Sequence, residues 1–220
     1  MQYVVGGNFD VLGFLELETL KYFGLEKSFY IIDVGCGSGR LAKPLSEFLE
    51  GKYLGIDIIP ELVDHARRLA NRPDWRFEVA RGLSIQAEDG VADMVCFFSV
   101  FTHLLHEQSY LYLQEAKRVL KPHGKILFSF LDFAIPEHWY ALERNIKYMS
   151  SMSEPINVFI GKDAIEAWTR HLGLQVEAIK NGNEGYLPLG KRLAFENGST
   201  MEKLGSIGQS VCVLCKHDAG

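Results

Sequence analysis

The chain has 220 residues, of which 47% are hydrophobic, and a formal net charge of -5. These values suit one domain spanning residues 1–220 and argue against a nucleic-acid partner, because no basic cluster is present. The sequence lacks a signal-peptide pattern and any apolar stretch of about 18 residues, so we expect a soluble, cytoplasmic protein without a membrane partner. The four cysteines do not form a disulfide framework and are expected to be reduced thiols.

Short apolar runs alternate with helical patterns from residue 29 to about residue 130. This alternation predicts a parallel sheet with helices on both faces. Two further strand-like runs follow later in the chain. The predicted strands cover residues 29–34, 53–57, 75–79, 94–99, 125–130, 175–179 and 210–215.

Three segments lie outside this alternation. Residues 1–28 are predicted to form an N-terminal helix or lid segment. Residues 132–160 combine aromatic residues with two prolines and lack a strand period, and residues 181–208 form a stretch rich in Gly and Asn. Long irregular connections in a compact domain are usually functional or mobile, so we expect the two later segments to be insertions that shape a binding site.

A glycine-rich turn, Asp33-Val-Gly-Cys-Gly-Ser-Gly-Arg40, follows the first predicted strand and opens a helix. Such a turn lets a ligand pack directly on backbone N–H groups, because glycine has no side chain to hold it away. A plain strand-to-helix turn is the alternative. The pattern does not fit a dinucleotide fingerprint, since counting from Gly35 and Gly37 puts Arg40 where the third glycine must pack.

An acidic residue, Asp57, ends the second predicted strand, 20 positions after Gly37. At this spacing a carboxylate can accept hydrogen bonds from ribose hydroxyls. The alternatives are a solvated carboxylate at the strand end and an N-cap for the helix that begins near Pro60.

These residues resemble the class I S-adenosylmethionine-dependent methyltransferase family over residues 29–130. The segment 33–39 is similar to the family's first motif, Gly55-Ile-Asp57 to its ribose-binding acidic motif, Ala92-Asp-Met-Val95 to the start of its fourth strand, and Arg118-Val-Leu-Lys-Pro-His-Gly124 to its turn before strand five. The resemblance implies a Rossmann-like, doubly wound α/β fold with a seven-stranded, mostly parallel sheet whose last strand is antiparallel. It also implies S-adenosylmethionine as the cofactor and S-adenosylhomocysteine as its product.

The resemblance further implies where the cofactor would lie. Gly35 and Gly37 would approach its methionine part, with Cys36 between them in the site. Asp33 would contact the cofactor's amino group directly or through water. Asp57 would hold the ribose.

The adenine end of the expected site departs from the family pattern. Many members place an acidic residue just after strand three, whereas this chain has Ala80-Arg-Gly-Leu83. Adenine would then be held by Ile58, by backbone near Gly82 and by apolar contacts.

The fourth strand leads into Phe98-Ser-Val-Phe-Thr-His-Leu104. This run resembles a family variant in which Ser99 lies beside the cofactor and His103 faces the acceptor. A histidine titrates near neutral pH and can accept a proton from a nucleophile, so His103 is a candidate general base. The alternative is that His103 caps or packs against the next helix, and that Ser99 holds the turn through its hydroxyl.

Two other features allow more than one interpretation. The run Cys212-Val-Leu-Cys215 has C-x-x-C spacing, but residues three apart on a strand face opposite sides, so we expect no metal site. Aromatic residues of 132–160, together with Tyr3 and Phe9, could form a lid over the cofactor or acceptor, or a minor core. The candidate cluster within that segment is Phe133, His138, Trp139, Tyr140 and Tyr148.

The function expected from these residues is methyl transfer to a small-molecule acceptor. Methyl transfer from a sulfonium is an in-line displacement, in which an enzyme mainly supplies proximity and alignment. The acceptor atom (oxygen, nitrogen, sulfur or carbon) and the oligomeric state are not encoded in any motif. Two other classes remain open at this stage: a non-catalytic binding or activating subunit with the same fold, and a nucleotide-dependent oxidoreductase.

Overall fold

The computed structural model describes residues 8–149 and 156–216. Within them, seven strands form one sheet: β1 (Ile31–Val34), β2 (Tyr53–Asp57), β3 (Arg76–Val79), β4 (Ala92–Phe97), β5 (Leu120–Phe130), β6 (Leu174–Lys180) and β11 (Ser210–Lys216). Their order in the sheet is β3-β2-β1-β4-β5-β11-β6. The helices are α1 (Phe9–Tyr22), α2 (Ala42–Phe48), α3 (Pro60–Ala70), α4 (His106–Val119), α5 (Trp139–Tyr148) and α6 (Lys162–Leu172).

The sheet is parallel from β3 to β5, and β11 runs antiparallel to both of its neighbours, β5 and β6. The predicted seven-stranded, mostly parallel sheet with an antiparallel last strand is therefore confirmed. One strand begins earlier than predicted. In β5, Leu120 already pairs with Ala92 before a register break, so the segment expected to form a turn at 121–124 lies within the strand.

Each face of the sheet packs against its own set of helices. On one face, β-strand residues such as Ile32 and Phe97 form a core with α4 and α6. On the other face, residues such as Ile31 and Cys96 form a core with α1, α2 and α3. This double burial explains the almost uninterrupted apolar runs of the central strands, and it is the doubly wound arrangement that the sequence predicted.

The segments outside the alternation have structure of their own. Residues 181–208 contain two small two-stranded sheets, β7 (Leu187–Pro188) with β10 (Leu204–Gly205) and β8 (Leu193–Ala194) with β9 (Thr200–Met201). They pack against α1 through a satellite core that includes Leu15 and Leu187. The other insertion contains a 3-10 turn, Pro136–His138, and then α5. No helix in the described parts of the chain is long and apolar enough to cross a membrane.

Candidate functional site

The glycine-rich turn lies at the carboxyl end of β1, where parallel sheets of this type form their ligand crevice. The backbone N–H groups of Gly35 and Cys36 donate to the Ile56 carbonyl, at 2.7 and 3.0 Å. Gly35, Gly37 and Gly39 have φ values of +78°, +53° and +93°, in the left-handed region that side chains disfavour. The glycines are therefore required by the shape of the turn.

Gly35 also brings the end of β4 close to the turn. A Cβ atom at this position would collide with the side chain of Val100, which follows Ser99. The glycine turn and the segment after β4 consequently lie side by side.

Asp57 joins the turn to the end of β2. Its half-buried carboxylate accepts hydrogen bonds from the N–H of Gly37 at 2.9 Å and from the N–H of Ile59 at 3.0 Å. Ile58, between them, leaves 74% of its surface exposed. A carboxylate with remaining lone pairs beside an exposed apolar side chain suits a ligand that has a hydroxylated ring and a flat apolar ring.

Asp33 lies beneath the turn and is only 2% exposed. Its carboxylate accepts a hydrogen bond from the Tyr53 hydroxyl at 2.7 Å and a weaker one from the Cys96 thiol at 3.6 Å. Burial raises the pKa of Asp33 to about 7, with a further rise from the charge of Glu16 and a partly compensating effect of Tyr53 and other neighbours. Asp33 can therefore change its charge near neutral pH.

The cysteines near the turn are protonated and unlinked. Burial raises the pKa of Cys36 and Cys96 well above the ordinary thiol range, and the nearby charge of Asp33 adds to the rise. Cys36 is 5% exposed and its thiol points to the Gly37 carbonyl at 3.8 Å. Its contribution to the site is the backbone of the turn, since a buried, protonated thiol is unreactive.

The expected adenine end lies between β2 and β3. The N–H of Ala80 donates to the Asp57 carbonyl at 2.8 Å, so the chain after β3 runs beside Asp57. Gly82 has a φ of +69° and open space where a Cβ would lie. The Tyr112 hydroxyl of α4 donates to the Gly82 carbonyl at 3.4 Å. Tyr112 was not predicted, because an aromatic residue in a helical pattern gives no sign of its contact with a distant loop.

Ser99 occupies a strained position immediately after β4. Its φ is +60°, which is uncommon for a residue with a side chain. Its N–H donates to Ser129 Oγ at 2.7 Å, its carbonyl accepts from Thr102 Oγ1 at 3.0 Å, and its hydroxyl accepts from the Gln209 amide at 3.2 Å. Ser129 Oγ donates in turn to Gln209 Oε1 at 2.6 Å. Ser99 is thus held by its backbone as well as its hydroxyl, and Gln209 was not anticipated.

His103 ends a 3-10 turn, Phe101–His103, four residues after Ser99. The imidazole is exposed, and Nδ1 lies 3.4 Å from the Ile156 carbonyl oxygen. A carbonyl can only accept, so this contact favours the tautomer with the proton on Nδ1 and a lone pair on Nε2. The Val158 N–H donates to the Thr102 carbonyl at 2.7 Å, which ties the same turn to the insertion.

The aromatic residues of the insertion separate into buried and exposed groups. His138 is fully buried, and its Nδ1 accepts from the Asp132 N–H at 2.9 Å. Burial lowers its pKa, so this histidine is a neutral structural contact. By contrast, Phe133, Trp139 and Tyr140 are 52%, 47% and 59% exposed. Within this exposed aromatic surface Trp139 contacts Phe133 edge to face at 6.1 Å, and the buried Phe159 stacks on Phe133 at 4.2 Å.

Phe9 is the first residue of α1 and is 8% exposed, whereas Tyr3 lies outside the described residues. Cys212 is buried and Cys215 is partly exposed. Among the described residues there is no group of three or more His, Cys, Asp or Glu side chains that could hold a metal ion.

The residues at the glycine turn suit S-adenosylmethionine. The turn presents backbone without side chains, and Asp57 and Ile58 offer a carboxylate and an apolar surface beside it. Ser38 Oγ in the same turn is buried, and nothing within the described residues hydrogen-bonds it. A buried polar atom without a partner is costly and suits a position that a ligand or water completes.

Comparison with known proteins points to the same family. Residues 32–128 match a family model described as a methyltransferase domain. A ubiquinone biosynthesis O-methyltransferase from Xanthomonas euvesicatoria pv. vesicatoria is 26% identical over 157 residues, which cover 68% of this chain and 64% of that protein. A 27-O-demethylrifamycin SV methyltransferase from Amycolatopsis mediterranei is 23% identical over 155 residues, which cover 69% of this chain and 56% of that protein. The chain spans less than two thirds of the length of either relative.

A solved structure shows the same fold. Magnesium protoporphyrin IX methyltransferase from Synechocystis PCC 6803, with bound SAH, is similar with a TM-score of 0.63 and 14% identity, over 95% of this chain and 86% of that chain. The resemblance first seen in the glycine turn and Asp57 is thereby confirmed. Residues 32–128 match the methyltransferase-domain family, and the chain has the fold of class I S-adenosylmethionine-dependent methyltransferases.

Proposed function

We propose that this chain transfers a methyl group from S-adenosylmethionine to an oxygen atom of a small-molecule acceptor. The observation that supports this most strongly is the meeting of three features at one edge of the sheet. The glycine turn contacts Asp57 at 2.9 Å, and Gly35 lies against Val100, in the segment that leads from Ser99 to His103. Cofactor-binding and acceptor-facing groups therefore adjoin.

The cofactor side of the proposal assigns a role to each predicted residue. Gly35, Cys36 and Gly37 provide backbone for the methionine part, and Asp33 balances its amino group from below. Asp57 accepts hydrogen bonds from the ribose hydroxyls. When bound, S-adenosylmethionine supplies a methyl group on a positively charged sulfur.

The adenine side depends on shape more than on charge. Ile58 covers one face of the base with its exposed side chain. The backbone at Gly82, supported by Tyr112, borders the base where other members of the family use an acidic residue. Ser99 contributes its backbone and hydroxyl at the reacting end of the site.

The proposed base is His103. Its contact with Ile156 favours a lone pair on Nε2, which can take the proton of an acceptor hydroxyl as the oxygen bonds to the methyl carbon and that carbon's bond to sulfur breaks. An exposed imidazole can then return that proton to solvent. The remaining rate enhancement comes from holding the two reactants in line.

The proposed acceptor is a small molecule with an apolar or aromatic body and a hydroxyl group. The exposed Phe133, Trp139 and Tyr140 offer an aromatic surface on the insertion that also contacts His103. The two curated relatives are named for O-methylation and for methylation of 27-O-demethylrifamycin SV. The net charge of -5 disfavours a nucleic-acid substrate.

An acceptor screen tests the proposal. The purified chain is incubated with methyl-labelled S-adenosylmethionine and matched sets of phenols, alcohols, amines and thiols, and release of S-adenosylhomocysteine is measured. We expect release above the acceptor-free background with hydroxylated aromatic compounds, and its loss in Asp57→Ala.

The outcomes separate the parts of the proposal. Release with amines or thiols alone would retain methyl transfer and reject oxygen as the acceptor atom. Saturable cofactor binding without release across the whole screen would instead favour the non-catalytic binding subunit.

A further inference from the structure

A buried ion pair lies directly under the glycine turn. Arg40, the residue after Gly39, places Nη2 2.5 Å from Oε1 of Glu16 on α1. The two side chains are only 13% and 5% exposed. Charges removed from water to this extent are costly unless each is paired, so the two groups constrain each other's position.

The backbone of α1 also touches the same peptide. A Cβ atom on Gly13 would collide with the Arg40 carbonyl oxygen. The helix therefore approaches the end of the turn at two points, one turn of α1 apart. Neither contact was evident from the sequence, because Glu16 appears there as an ordinary acidic residue in a helical pattern.

The turn needs such support because three of its residues are glycines with left-handed φ values. Glycine loses more conformational freedom on ordering than any other residue, so a turn of this composition is not rigid by itself. Hydrogen bonds from the N–H groups of the turn to the Ile56 carbonyl and the Asp57 carboxylate hold its first part. Glu16 and Arg40 hold its last part.

We propose that Glu16 and Arg40 are positioning residues for the cofactor: their buried ion pair fixes the glycine turn to α1 in the conformation that binds. The inference rests on the assignment of this turn to S-adenosylmethionine. The helix α1 lies outside residues 32–128, which match the family model. With this role for Glu16, α1 also contributes to cofactor binding. Preordering a binding loop increases affinity because less freedom is lost when the ligand binds.

The chain provides a matched control. Lys43 and Asp10 form a second ion pair between α2 and α1, at 2.7 Å, but their side chains are 44% and 73% exposed. An exposed pair contributes little, because water screens it and two long side chains lose freedom to form it. Lys43→Gln thus removes the cation of an exposed pair, and Arg40→Gln removes the cation of a buried pair. Both pairs join α1 to the segment that follows β1.

The first measurement is calorimetric titration with S-adenosylhomocysteine. For Glu16→Gln and Arg40→Gln we expect the dissociation constant to rise about tenfold, and for Lys43→Gln less than about twofold. Circular dichroism and the melting temperature establish that each variant is folded. Arg40→Lys, which keeps the charge and loses the planar guanidinium, replaces Arg40→Gln if that variant does not fold.

The second measurement is the pH dependence of the dissociation constant for S-adenosylhomocysteine. If Glu16 only stabilised the fold, its substitution would not shift this dependence in a defined direction. Asp33 is faced by Tyr53 from β2, Cys96 from β4, Glu16 from α1 and Arg40 from the turn. The charge of Glu16 raises the pKa of Asp33 and that of Arg40 lowers it. Ionised Asp33 favours the ligand's ammonium group, so affinity in the unaltered chain should increase as the pH rises through about 7. In Glu16→Gln that increase should occur at lower pH.

A folded Glu16→Gln variant with unchanged affinity and an unchanged pH profile would overturn the inference, as would equal losses in Lys43→Gln and Arg40→Gln. These results differ from a failure of the proposed function. If the unaltered chain does not bind S-adenosylhomocysteine, the proposed function fails. If it binds and Asp57→Ala weakens binding while Glu16→Gln does not, only the role of the buried pair is rejected.

Discussion

The two sides of the site are built in different ways. On the cofactor side, residues 33–40 and 57–58, main-chain N–H groups bond directly to the Ile56 carbonyl and the Asp57 carboxylate. On the proposed acceptor side, the insertions at 132–160 and 181–208, the described residues form small sheets, a short helix and exposed aromatic rings. One side is therefore fixed by backbone geometry and the other by side-chain packing, so substitutions on the two sides should have different consequences.

The largest effect is expected at Gly35, where backbone shape and close packing combine. Gly35→Ala places a Cβ on Val100 at a left-handed φ, and we expect a loss of about 2 to 5 kcal/mol in the free energy of unfolding. Urea denaturation measures it. Gly90→Ala is the control, because Gly90 also has a left-handed φ of +66° but open space around the new Cβ. Equal losses in the two variants would mean that the contact with Val100 contributes nothing.

The next effect tests the acceptor side through its chemistry. With the true acceptor, His103→Gln should lower turnover about 100-fold and leave cofactor affinity nearly unchanged, because a positioned base contributes about this much. A lower melting temperature with nearly normal turnover would instead identify His103 as a structural residue.

Asp57 tests the cofactor side through binding. Asp57→Ala should weaken S-adenosylhomocysteine binding by about 1.5 to 3 kcal/mol, as expected for hydrogen bonds to a charged group, and it also releases the N–H groups of Gly37 and Ile59. Calorimetry measures the change. Asp57→Asn, which keeps one carbonyl oxygen, should lose less. An unchanged dissociation constant in both variants would remove Asp57 from the site.

The smallest effect is expected at the aromatic surface. Trp139 is 47% exposed, and its indole N–H donates to the Phe133 carbonyl at 3.0 Å. Trp139→Ala should cost only about 1 kcal/mol of stability, the range of a single hydrogen bond, while raising the acceptor KM several-fold. Leu111→Ala, at a 43% exposed position on α4, should leave the KM unchanged. A large loss in the free energy of unfolding without a change in the acceptor KM would identify these aromatic residues as a minor core.

The sequence predicted the cofactor side in more detail than the acceptor side, and the reason is physical. Glycines at fixed spacing and a carboxylate at a strand end report backbone geometry directly, so the turn at 35–39 and its neighbour Asp57 could be found from local pattern alone. The double burial of the central strands likewise left long apolar runs. In the insertion at 132–160, aromatic residues suit a lid or a core equally well.

Contacts between distant segments left no local signal. Gln209 reaches Ser99 across 110 positions, and Arg40 reaches Glu16 across 24. The left-handed φ of Ser99 also could not be predicted, because a serine after a strand ordinarily adopts other conformations. These residues become visible only when the fold brings their partners together.

The most direct test of the account is a crystal structure of the chain with S-adenosylhomocysteine. We expect the ribose hydroxyls on the Asp57 carboxylate, the amino-acid part over Gly35 and Gly37, and the sulfur facing the segment between Ser99 and His103. Residues 33–40 should keep their backbone conformation, since Asp57 and the Glu16–Arg40 pair already hold it. A ligand bound away from the glycine turn, or a turn that refolds to accept it, would contradict the account.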